Sequence, residues 1–353
     1  MSIANGGPMY RSAFLGCGPR ARAHAQAYRH VEHGEIVAIC DLNEQLLSSF
    51  GDEFGIDRRY TDLERMLERE RPDLLHIVTA PTLRGSGERI RHSLMRVASD
   101  HGVPAAIVEK PVAVDGDDWR QLMELEATTK TKFCVNTQLN FHPRNLELKR
   151  DVAAGRIGGV RFIDASARST PIDQGPHILQ LVSSYLDNAQ PVRVFGQVAD
   201  GGPLAELSPS TRHGAAAITF AGGVRASVTF GTEVAPRISD SEVQYYHKRI
   251  AVFGTRGFIH WTMDGWERGT PEGFESGAHS YAEQDILGQA GLTEAVFDWL
   301  DDDAKLHPTN LAQSLTECNL LLGIYHSALI HAPVALPFDP PAGLIGALKE
   351  RLG

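Results

Sequence analysis

The sequence predicts an α/β protein in which a doubly wound parallel sheet is followed by a domain with a mostly antiparallel sheet. Two observations lead to this fold class. Short apolar runs alternate with amphipathic stretches up to about residue 135, and hairpin patterns take their place afterwards. No internal repeat or low-complexity linker marks the change. We therefore expect one domain at residues 1–135 and a second at residues 136–353, each long enough for its own core.

The first domain contains apolar runs of strand length. They predict strands at residues 12–16, 35–40, 74–80, 105–109 and 132–136. Amphipathic stretches predict helices at residues 43–54, 62–69, 88–100 and 117–128. Strands that alternate with helices in this way form a parallel sheet covered on both faces.

The second domain mixes helices with strands joined by short turns. Helices are predicted at residues 144–154, about 176–186, about 284–300 and about 311–330. The segments ITFAGGVRASVTF and AVFGTRGFIHW each predict a hairpin, because two strand-like runs flank a glycine-containing turn. Local hairpins indicate an antiparallel or mixed sheet.

Composition narrows the classes of function. The 353 residues carry a net charge of −10, which disfavours a nucleic-acid partner. No apolar run approaches the ~20 residues of a membrane-spanning helix, and the N-terminal residues lack a signal-peptide pattern. The four cysteines lie far apart, so we expect reduced thiols and a cytoplasmic protein. The histidines show no metal-ligand spacing, and no metal is expected.

The segment GCGPRA follows the first predicted strand and opens a helix, which is the context of a dinucleotide-binding turn. Glycine lets the backbone approach a pyrophosphate, and a helix N-terminus favours its negative charge. Asp41 ends the second strand, where a carboxylate accepts hydrogen bonds from ribose hydroxyls and repels a 2′-phosphate. NAD is therefore expected as the cofactor in preference to NADP. Arg20 and Arg22 keep NADP as the alternative, because a nearby arginine can accommodate a 2′-phosphate. The predicted cofactor contacts of this turn are Gly16, Cys17, Gly18, Pro19, Arg20, Ala21 and Asp41.

A second unusual segment, AIVEKPV, ends an apolar strand with Glu109, Lys110 and Pro111. The carboxyl ends of parallel strands meet at one edge of the sheet, so the charged pair is expected on the same rim as the glycine turn. The alternative to a functional role is that Glu109 and Lys110 form a structural salt bridge at the end of the strand. Such a bridge needs neither this location nor a proline that restrains Lys110.

Several short motifs occur in an order that resembles the glucose–fructose oxidoreductase/inositol dehydrogenase (Gfo/Idh/MocA) family over nearly the whole chain. They are GCGPRARAH, Asp41, Ala80–Pro81, Glu109–Lys110–Pro111, GRIGGVRF, and DQGPH at residues 173–177. The resemblance implies a Rossmann domain followed by an α/β domain with a large open sheet, through which homodimers or homotetramers form. With it, Ala80, Pro81, Glu109 and Lys110 join the expected cofactor contacts.

The resemblance also implies that Lys110 contacts the reacting hydroxyl, that His177 accepts its proton, and that Asp173 is the acidic companion of the histidine. Independently, Pro176 suits the first position of a helix, since it has no N–H to leave unpaired. His177 would then lie in the first helical turn, where the helix dipole lowers the pKa of an imidazole and keeps it neutral. In the alternative, Asp173 only caps the helix and His177 packs beneath the sheet.

Some positions depart from the family's commonest pattern and leave the substrate open. They are Ala80, Asn140, Gln180 and the long segment 81–109 with Arg84 and Gly85–Gly87. The candidate substrate contacts are Gln138, Asn140, His142 and Gln180, with Tyr245, Tyr246 and His247 on a later loop. Trp261 and Trp266 are interpreted as core or subunit-interface residues.

The leading prediction is an NAD-dependent oxidoreductase that transfers a hydride between a carbinol carbon of a sugar, sugar derivative or cyclitol and nicotinamide. A second hypothesis is a glycoside-cleaving enzyme that uses tightly bound NAD for transient oxidation and elimination. A third is a non-catalytic dinucleotide-binding regulatory protein. Lys110, Asp173 and His177 argue against the third, because a binding protein needs no general base.

Overall fold

The computed structural model describes residues 9–82, 89–201, 204–205 and 208–352. The first part of the chain forms a six-stranded sheet with the order β3-β2-β1-β4-β5-β6, in which every pair of neighbours is parallel. Its strands are β1 (Tyr10–Leu15), β2 (Gly34–Cys40), β3 (Arg59–Tyr60), β4 (Leu74–Ile77), β5 (Ala105–Val108) and β6 (Lys132–Val135). The doubly wound prediction is confirmed. The strand order reverses between β1 and β4, which is where such sheets bind ligands at their carboxyl edge.

The helices of this part start and stop at residues suited to those positions. They are α1 (Pro19–Ala27), α2 (Glu44–Phe54), α3 (Leu63–Glu70), α4 (Arg91–Asp100) and α5 (Gly116–Thr128). The side chains of Asn43, Asp62 and Asp115 accept hydrogen bonds from the first free N–H groups of α2, α3 and α5. Gly55 ends α2 in the left-handed conformation, with a φ of 68°.

The second sheet has nine strands in the order β16-β15-β14-β13-β7-β12-β11-β8-β17. They are β7 (Val160–Ala167), β8 (Pro191–Ala199), β11 (His213–Phe220), β12 (Arg225–Phe230), β13 (Lys248–Gly254), β14 (Phe258–Thr262), β15 (Gly265–Thr270), β16 (Gly273–Ala278) and β17 (Val334–Ala335), while β9 (Leu204–Ala205) and β10 (Ser208–Pro209) pair separately. The β7–β12 pair is parallel and all other pairs are antiparallel.

Both predicted hairpins are confirmed, as β11–β12 and β13–β14. The hairpin β15–β16 was not predicted, because its sequences GWERGT and GFESGA are rich in glycine and charge and lack apolar alternation. Its outer strand, β16, is almost wholly exposed, which explains why no apolar pattern is needed there.

Helices from late in the chain cover both sheets. They are α6 (Pro143–Ala153), α7 (Pro171–Ser184), α8 (Tyr281–Asp301), α9 (Leu311–Ile330) and α10 (Leu344–Leu352). Leu292 and Val296 of α8 pack on Leu74 and Ile107 of the first sheet, and Leu315 of α9 joins the core on its other face. The return of α8 to the first sheet places its N-terminal turn beside the carboxyl edge of that sheet.

The core of the second sheet lies between its inner face and the helices α7 and α9. Trp261 and Tyr325 are the largest fully buried side chains there. Trp261 thus occupies a core position. Within the described residues, no helix combines the length and the apolar character that a bilayer crossing demands.

Candidate active site

The turn between β1 and α1 contains two glycines with different structural roles. Gly16 has a φ of +98°, and a Cβ there would lie 2.3 Å from the carbonyl oxygen of Val78, so only glycine fits. Gly18 is the N-cap of α1 and has an extended backbone, with no atom within 4 Å of the place of a Cβ. No side chain caps this helix. Open space and uncapped N–H groups therefore meet where a pyrophosphate binds in dinucleotide-binding domains.

Asp41 follows β2 and lies directly beside the glycine turn. Its Oδ2 accepts a hydrogen bond from the backbone N–H of Cys17 at 2.7 Å, and its Oδ1 accepts one from that of Asn43 at 2.8 Å. Each carboxylate oxygen keeps a lone pair for a ribose hydroxyl. The negative charge also disfavours a 2′-phosphate, so the turn and Asp41 together fit NAD.

Both nearby arginines already have carboxylate partners within the protein. The Nε of Arg20 donates to Glu109 Oε1 at 2.9 Å. Arg22 forms an ion pair with Glu53 and donates to Ser49 Oγ at 3.0 Å. Both guanidinium groups are therefore engaged by carboxylates of the protein.

The remaining predicted cofactor contacts lie around the same edge of the sheet. Cys17 and Ala21 have fully buried side chains, so only their backbone can face a ligand. Ala80 and Pro81 follow β4 at its carboxyl end. Arg84 and Gly85–Gly87, which were noted in the sequence, lie outside the described residues.

Glu109 directly follows β5 and is buried among hydrogen-bond donors. Its Oε1 lies 2.9 Å from His24 Nε2 and accepts a bond from Asn136 Nδ2 at 2.6 Å, in addition to the bond from Arg20. Burial alone would raise the pKa of Glu109, but Arg20 and His24 hold it well below its usual range. The carboxylate is thus a fixed anion that positions Arg20 at the start of α1.

Lys110 points to the other side of the strand end and reaches the second part of the chain. Its Nζ donates to Asp173 Oδ1 at 2.7 Å and to the backbone oxygen of Asp173 at 2.8 Å. The other carboxylate oxygen, Oδ2, accepts from Ser169 Oγ at 2.8 Å and from Gln174 Nε2 at 3.0 Å. Burial would raise the pKa of Asp173, but the charge of Lys110 and these hydrogen bonds lower it to about 2. Lys110 keeps one donor for a ligand.

The helix that carries Asp173 and His177 begins earlier than the sequence predicts. α7 starts at Pro171, which takes the first helical position, and Pro176 lies inside the helix. The prediction that Pro176 begins the helix is therefore wrong. Two prolines five residues apart suit a helix start equally well by sequence, and the first one wins because the chain leaves β7 directly before it. His177 consequently lies in the second helical turn.

The pKa of His177 is lowered by a different cause from the one predicted. The side chain is 5% exposed, and its burial holds the pKa well below the usual histidine value, with the positive charges of Lys110 and Lys248 adding to the effect. His177 and Asp173 are one helical turn apart and share a face of α7. A neutral imidazole and an ammonium thus face the same region.

Lys110 and His177 line a cavity of about 640 Å³ that extends to the N-terminus of α1. Its wall is formed by Pro19, Arg20, Ala23, Gln26, Glu109, Lys110, Gln138, Gln174, His177, Tyr245, Tyr246, Lys248, Tyr281, Ala282, Asp285 and Ile286. The cavity therefore joins the start of the glycine-turn helix to two of the three residues predicted to be catalytic, Lys110 and His177.

Of the predicted substrate contacts, Gln138 lines the cavity and donates to Asp285 Oδ1 at 2.7 Å. The other three are buried and are not part of its wall. Asn140 accepts from Lys149, the Nε2 of His142 lies 3.4 Å from Asp285 Oδ1, and Gln180 is fully buried within α7. His247 is also buried, with its ring bonded to the Ser241 carbonyl.

The sequence did not indicate three prominent polar residues of the cavity: Lys248, Tyr281 and Asp285. Lys248 is the first residue of β13 and pairs with Ala167, the last residue of β7 before α7 begins. Tyr281 and Asp285 enter with α8, and Tyr281 donates to Asp285 Oδ1 at 3.0 Å. These residues carry no motif, and only sheet register and helix packing bring them here.

The chain matches the model of an oxidoreductase family with an NAD-binding Rossmann fold (Gfo/Idh/MocA) over residues 10–137. It is 33% identical over 150 residues to a D-apiose dehydrogenase of Paraburkholderia graminis, a match that covers 42% of this chain and 38% of that enzyme. It is 24% identical to a myo-inositol 2-dehydrogenase of Thermotoga maritima, with 70% of this chain and 74% of that protein covered.

The whole fold is shared with solved structures. An oxidoreductase of Agrobacterium radiobacter, in complex with NAD⁺, L-tartaric acid and magnesium, superposes with a TM-score of 0.78 at 20% identity, covering 96% of this chain and 99% of the other. A levoglucosan dehydrogenase in complex with NADH gives 0.76 at 15% identity, covering 93% and 99%. The family match, with the glycine turn and Asp41, shows that residues 10–137 are similar to the NAD-binding Rossmann domain of Gfo/Idh/MocA oxidoreductases. The solved structures show that the chain shares their two-sheet fold.

Proposed function

We propose that the protein is an NAD-dependent dehydrogenase that oxidises a carbinol of a sugar, sugar derivative or cyclitol. The observation that carries the proposal is that Lys110 and His177, which come from different parts of the chain, line one cavity that reaches the helix of the glycine turn. Gly16, Gly18 and Asp41 are the residues that would hold the dinucleotide. When bound, NAD⁺ supplies the hydride acceptor.

In this proposal each side chain near the reacting carbinol has a separate task. Lys110 donates its remaining N–H to the hydroxyl oxygen, and Asp173 fixes the ammonium in place. His177 accepts the hydroxyl proton, for which its burial keeps it neutral. Glu109 does not touch the carbinol and instead anchors Arg20 and His24.

The polar wall opposite these residues favours a polyhydroxylated substrate. Asp285 lines the cavity and accepts hydrogen bonds from Gln138 and Tyr281 at its Oδ1. Its Oδ2 lies 3.9 Å from Arg20 Nη1 and retains lone pairs that can accept a hydrogen bond from a substrate hydroxyl. The relatives are named for D-apiose and myo-inositol, both polyols in this sense. A cavity of about 640 Å³ is large enough for such a substrate.

The proposal is tested by mixing the purified protein with NAD⁺ or NADP⁺ and a panel of polyols, inositols and glycosides while NADH formation is followed. We expect net reduction of NAD⁺ with at least one sugar or cyclitol. Cleavage of a glycoside without net NADH would instead support transient oxidation and elimination. Cofactor binding without any product would contradict the proposed activity.

We also infer that the protein forms a homo-oligomer through the second sheet and works in a reducing compartment such as the cytoplasm. Phe195, Phe253 and Phe274 lie on strands of that sheet and are 40–62% exposed, and the four cysteines are free. Phe253→Asp should lower the mass measured by sedimentation; a wild-type monomer would contradict the oligomer.

A further inference from the structure

Lys248 is a buried ammonium on the cavity wall. Lys248 is 3% exposed, and its Nζ donates a hydrogen bond to the backbone oxygen of Tyr245 at 2.5 Å. The rings of Tyr245 and Tyr281 lie with their centroids 5.6 and 5.9 Å from this nitrogen. Since an ammonium has three donors, two remain for other partners.

The carboxylates around the cavity are engaged by groups other than Lys248. Asp173 binds Lys110, Glu109 binds Arg20, and Asp285 accepts from Gln138 and Tyr281. In the part of the chain that the structure describes, no carboxylate lies within 4.0 Å of Lys248 Nζ.

A buried charge without a counterion is costly, and it responds by losing its proton. Burial lowers the pKa of Lys248 to about 7, and Lys110 adds to the effect, while Asp285 and Asp173 oppose it without pairing directly. An anionic group of a ligand would supply the missing counterion. Among the described residues of the cavity wall, Lys248 is the ammonium without a carboxylate partner. A single ammonium balances a single negative charge, which suits a carboxylate better than a phosphate dianion.

We propose that the substrate of this cavity is a sugar acid and that Lys248 pairs with its carboxylate. The inference rests on the proposed function, since it assigns a substrate class to the same site. In it, Asp285 and Gln138 recognise hydroxyls, Lys110 and His177 face the reacting carbinol, and Lys248 recognises the acid group.

The test measures binding by calorimetry in the presence of NADH, so that no oxidation takes place. The probes are two matched pairs, D-gluconate with D-glucitol and D-glucuronate with D-glucose. We expect at least one acid to bind roughly 10- to 150-fold more tightly than its neutral partner, the range for a hydrogen bond to a charged group. Lys248→Met should remove this preference, and Lys248→Arg should retain much of it.

A second readout separates ion pairing from a structural effect of the substitution. If the anion restores the charge of Lys248, binding takes up protons near neutral pH, and the observed heat changes with the ionisation enthalpy of the buffer. Lys248→Met should abolish this proton uptake. The matched control is Lys149→Met, because burial also lowers the pKa of Lys149 to about 7, yet it bonds to Asn140 and lies outside the cavity wall.

Three results would overturn the inference: equal binding of acids and neutral sugars, an acid preference that survives in Lys248→Met, or no binding of either acid at any soluble concentration. The outcome is independent of turnover. Preferential binding of an acid that depends on Lys248, with no sugar, acid or cyclitol of the panel oxidised, would support the pairing of Lys248 with a carboxylate and contradict the proposed dehydrogenase. Oxidation of neutral sugars without any preference for acids would support the proposed dehydrogenase and contradict the pairing of Lys248 with a carboxylate.

Discussion

The glycine turn and the cavity wall that carries the proposed catalytic residues lie at the same edge of the first sheet, but they are built in opposite ways. The turn is local: Gly16, Gly18 and Asp41 lie within 26 residues of one another in sequence, and backbone geometry does most of the work. The wall is assembled from distant parts of the chain. Lys110 follows β5 by two residues, His177 lies on α7 and Lys248 begins β13.

Because of this difference, we expect cofactor affinity and turnover to respond to substitutions at different places. In the proposed function the turn recognises the cofactor by backbone N–H groups and open space, so a change there should affect cofactor affinity. The wall acts through the charge states of side chains, and those states depend on burial and on neighbours from other elements. A change in the wall should therefore affect turnover and leave the cofactor site nearly intact.

The largest expected effect comes from Lys110→Met. In the proposed function, removal of the ammonium takes away the hydrogen bond to the reacting hydroxyl, so kcat should fall by roughly 10²–10⁴-fold, while the Kd for NAD⁺ stays within about threefold. Steady-state kinetics and calorimetry measure the two quantities. Lys132→Met is the matched control, because Lys132 pairs with Asp303 away from the cavity. A variant that binds NAD⁺ normally and turns over at the wild-type rate would break the division between turn and wall.

A smaller effect, on NAD⁺ affinity and not on kcat, is expected from Gly18→Ala. The backbone of Gly18 is extended and a Cβ meets nothing within 4 Å, so the free energy of unfolding should change little. The methyl group would nevertheless occupy the approach of a pyrophosphate and weaken NAD⁺ binding by roughly tenfold or more, the worth of one hydrogen bond to a charged group.

Two other glycine variants sharpen this result. Gly16→Ala should lower both stability and NAD⁺ affinity, because φ is positive and the Val78 carbonyl is 2.3 Å from the new carbon. Gly159→Ala also meets nothing within 4 Å but lies far along the chain, and it should change neither. Unchanged NAD⁺ affinity in Gly18→Ala would place the phosphate elsewhere.

The smallest expected effect is a shift in the acid limb of the pH–activity profile. His177 accepts a proton only when it is neutral, and its pKa is lowered by burial and by Lys110. Activity should therefore persist as the pH falls through about 6.5, the ordinary pKa of histidine. It should decline only at a lower pH, where the buried His177 becomes protonated. The profile of kcat/KM, with circular dichroism at each pH to monitor folding, measures this limb.

The same shift has a consequence for stability, with a definite sign. The unfolded histidine binds a proton at higher pH than the buried one, so acidification through about 6.5 favours unfolding. His177→Gln should remove both the activity and this part of the pH dependence of unfolding. An acid limb at or above the ordinary histidine pKa would show that the group is not His177.

Sequence alone predicted the doubly wound first sheet, both hairpins and the glycine turn, because each depends on local patterns: apolar periodicity, turn glycines and the order of strand and helix. It also named Lys110, Asp173 and His177 through a resemblance. It misplaced the start of α7, since Pro171 and Pro176 are equivalent by local chemistry. It also left out β15 and β16, whose sequences are rich in glycine and charge and lack apolar alternation.

Only the tertiary structure decided which polar residues share the cavity. Sheet register places Lys248 beside the strand that leads into α7, and helix packing brings Tyr281 and Asp285 to the same wall, while Asn140, His142 and Gln180 are buried behind it. The physical reason is that a local motif fixes backbone conformation, whereas burial, charge pairing and pKa depend on neighbours that are distant in sequence.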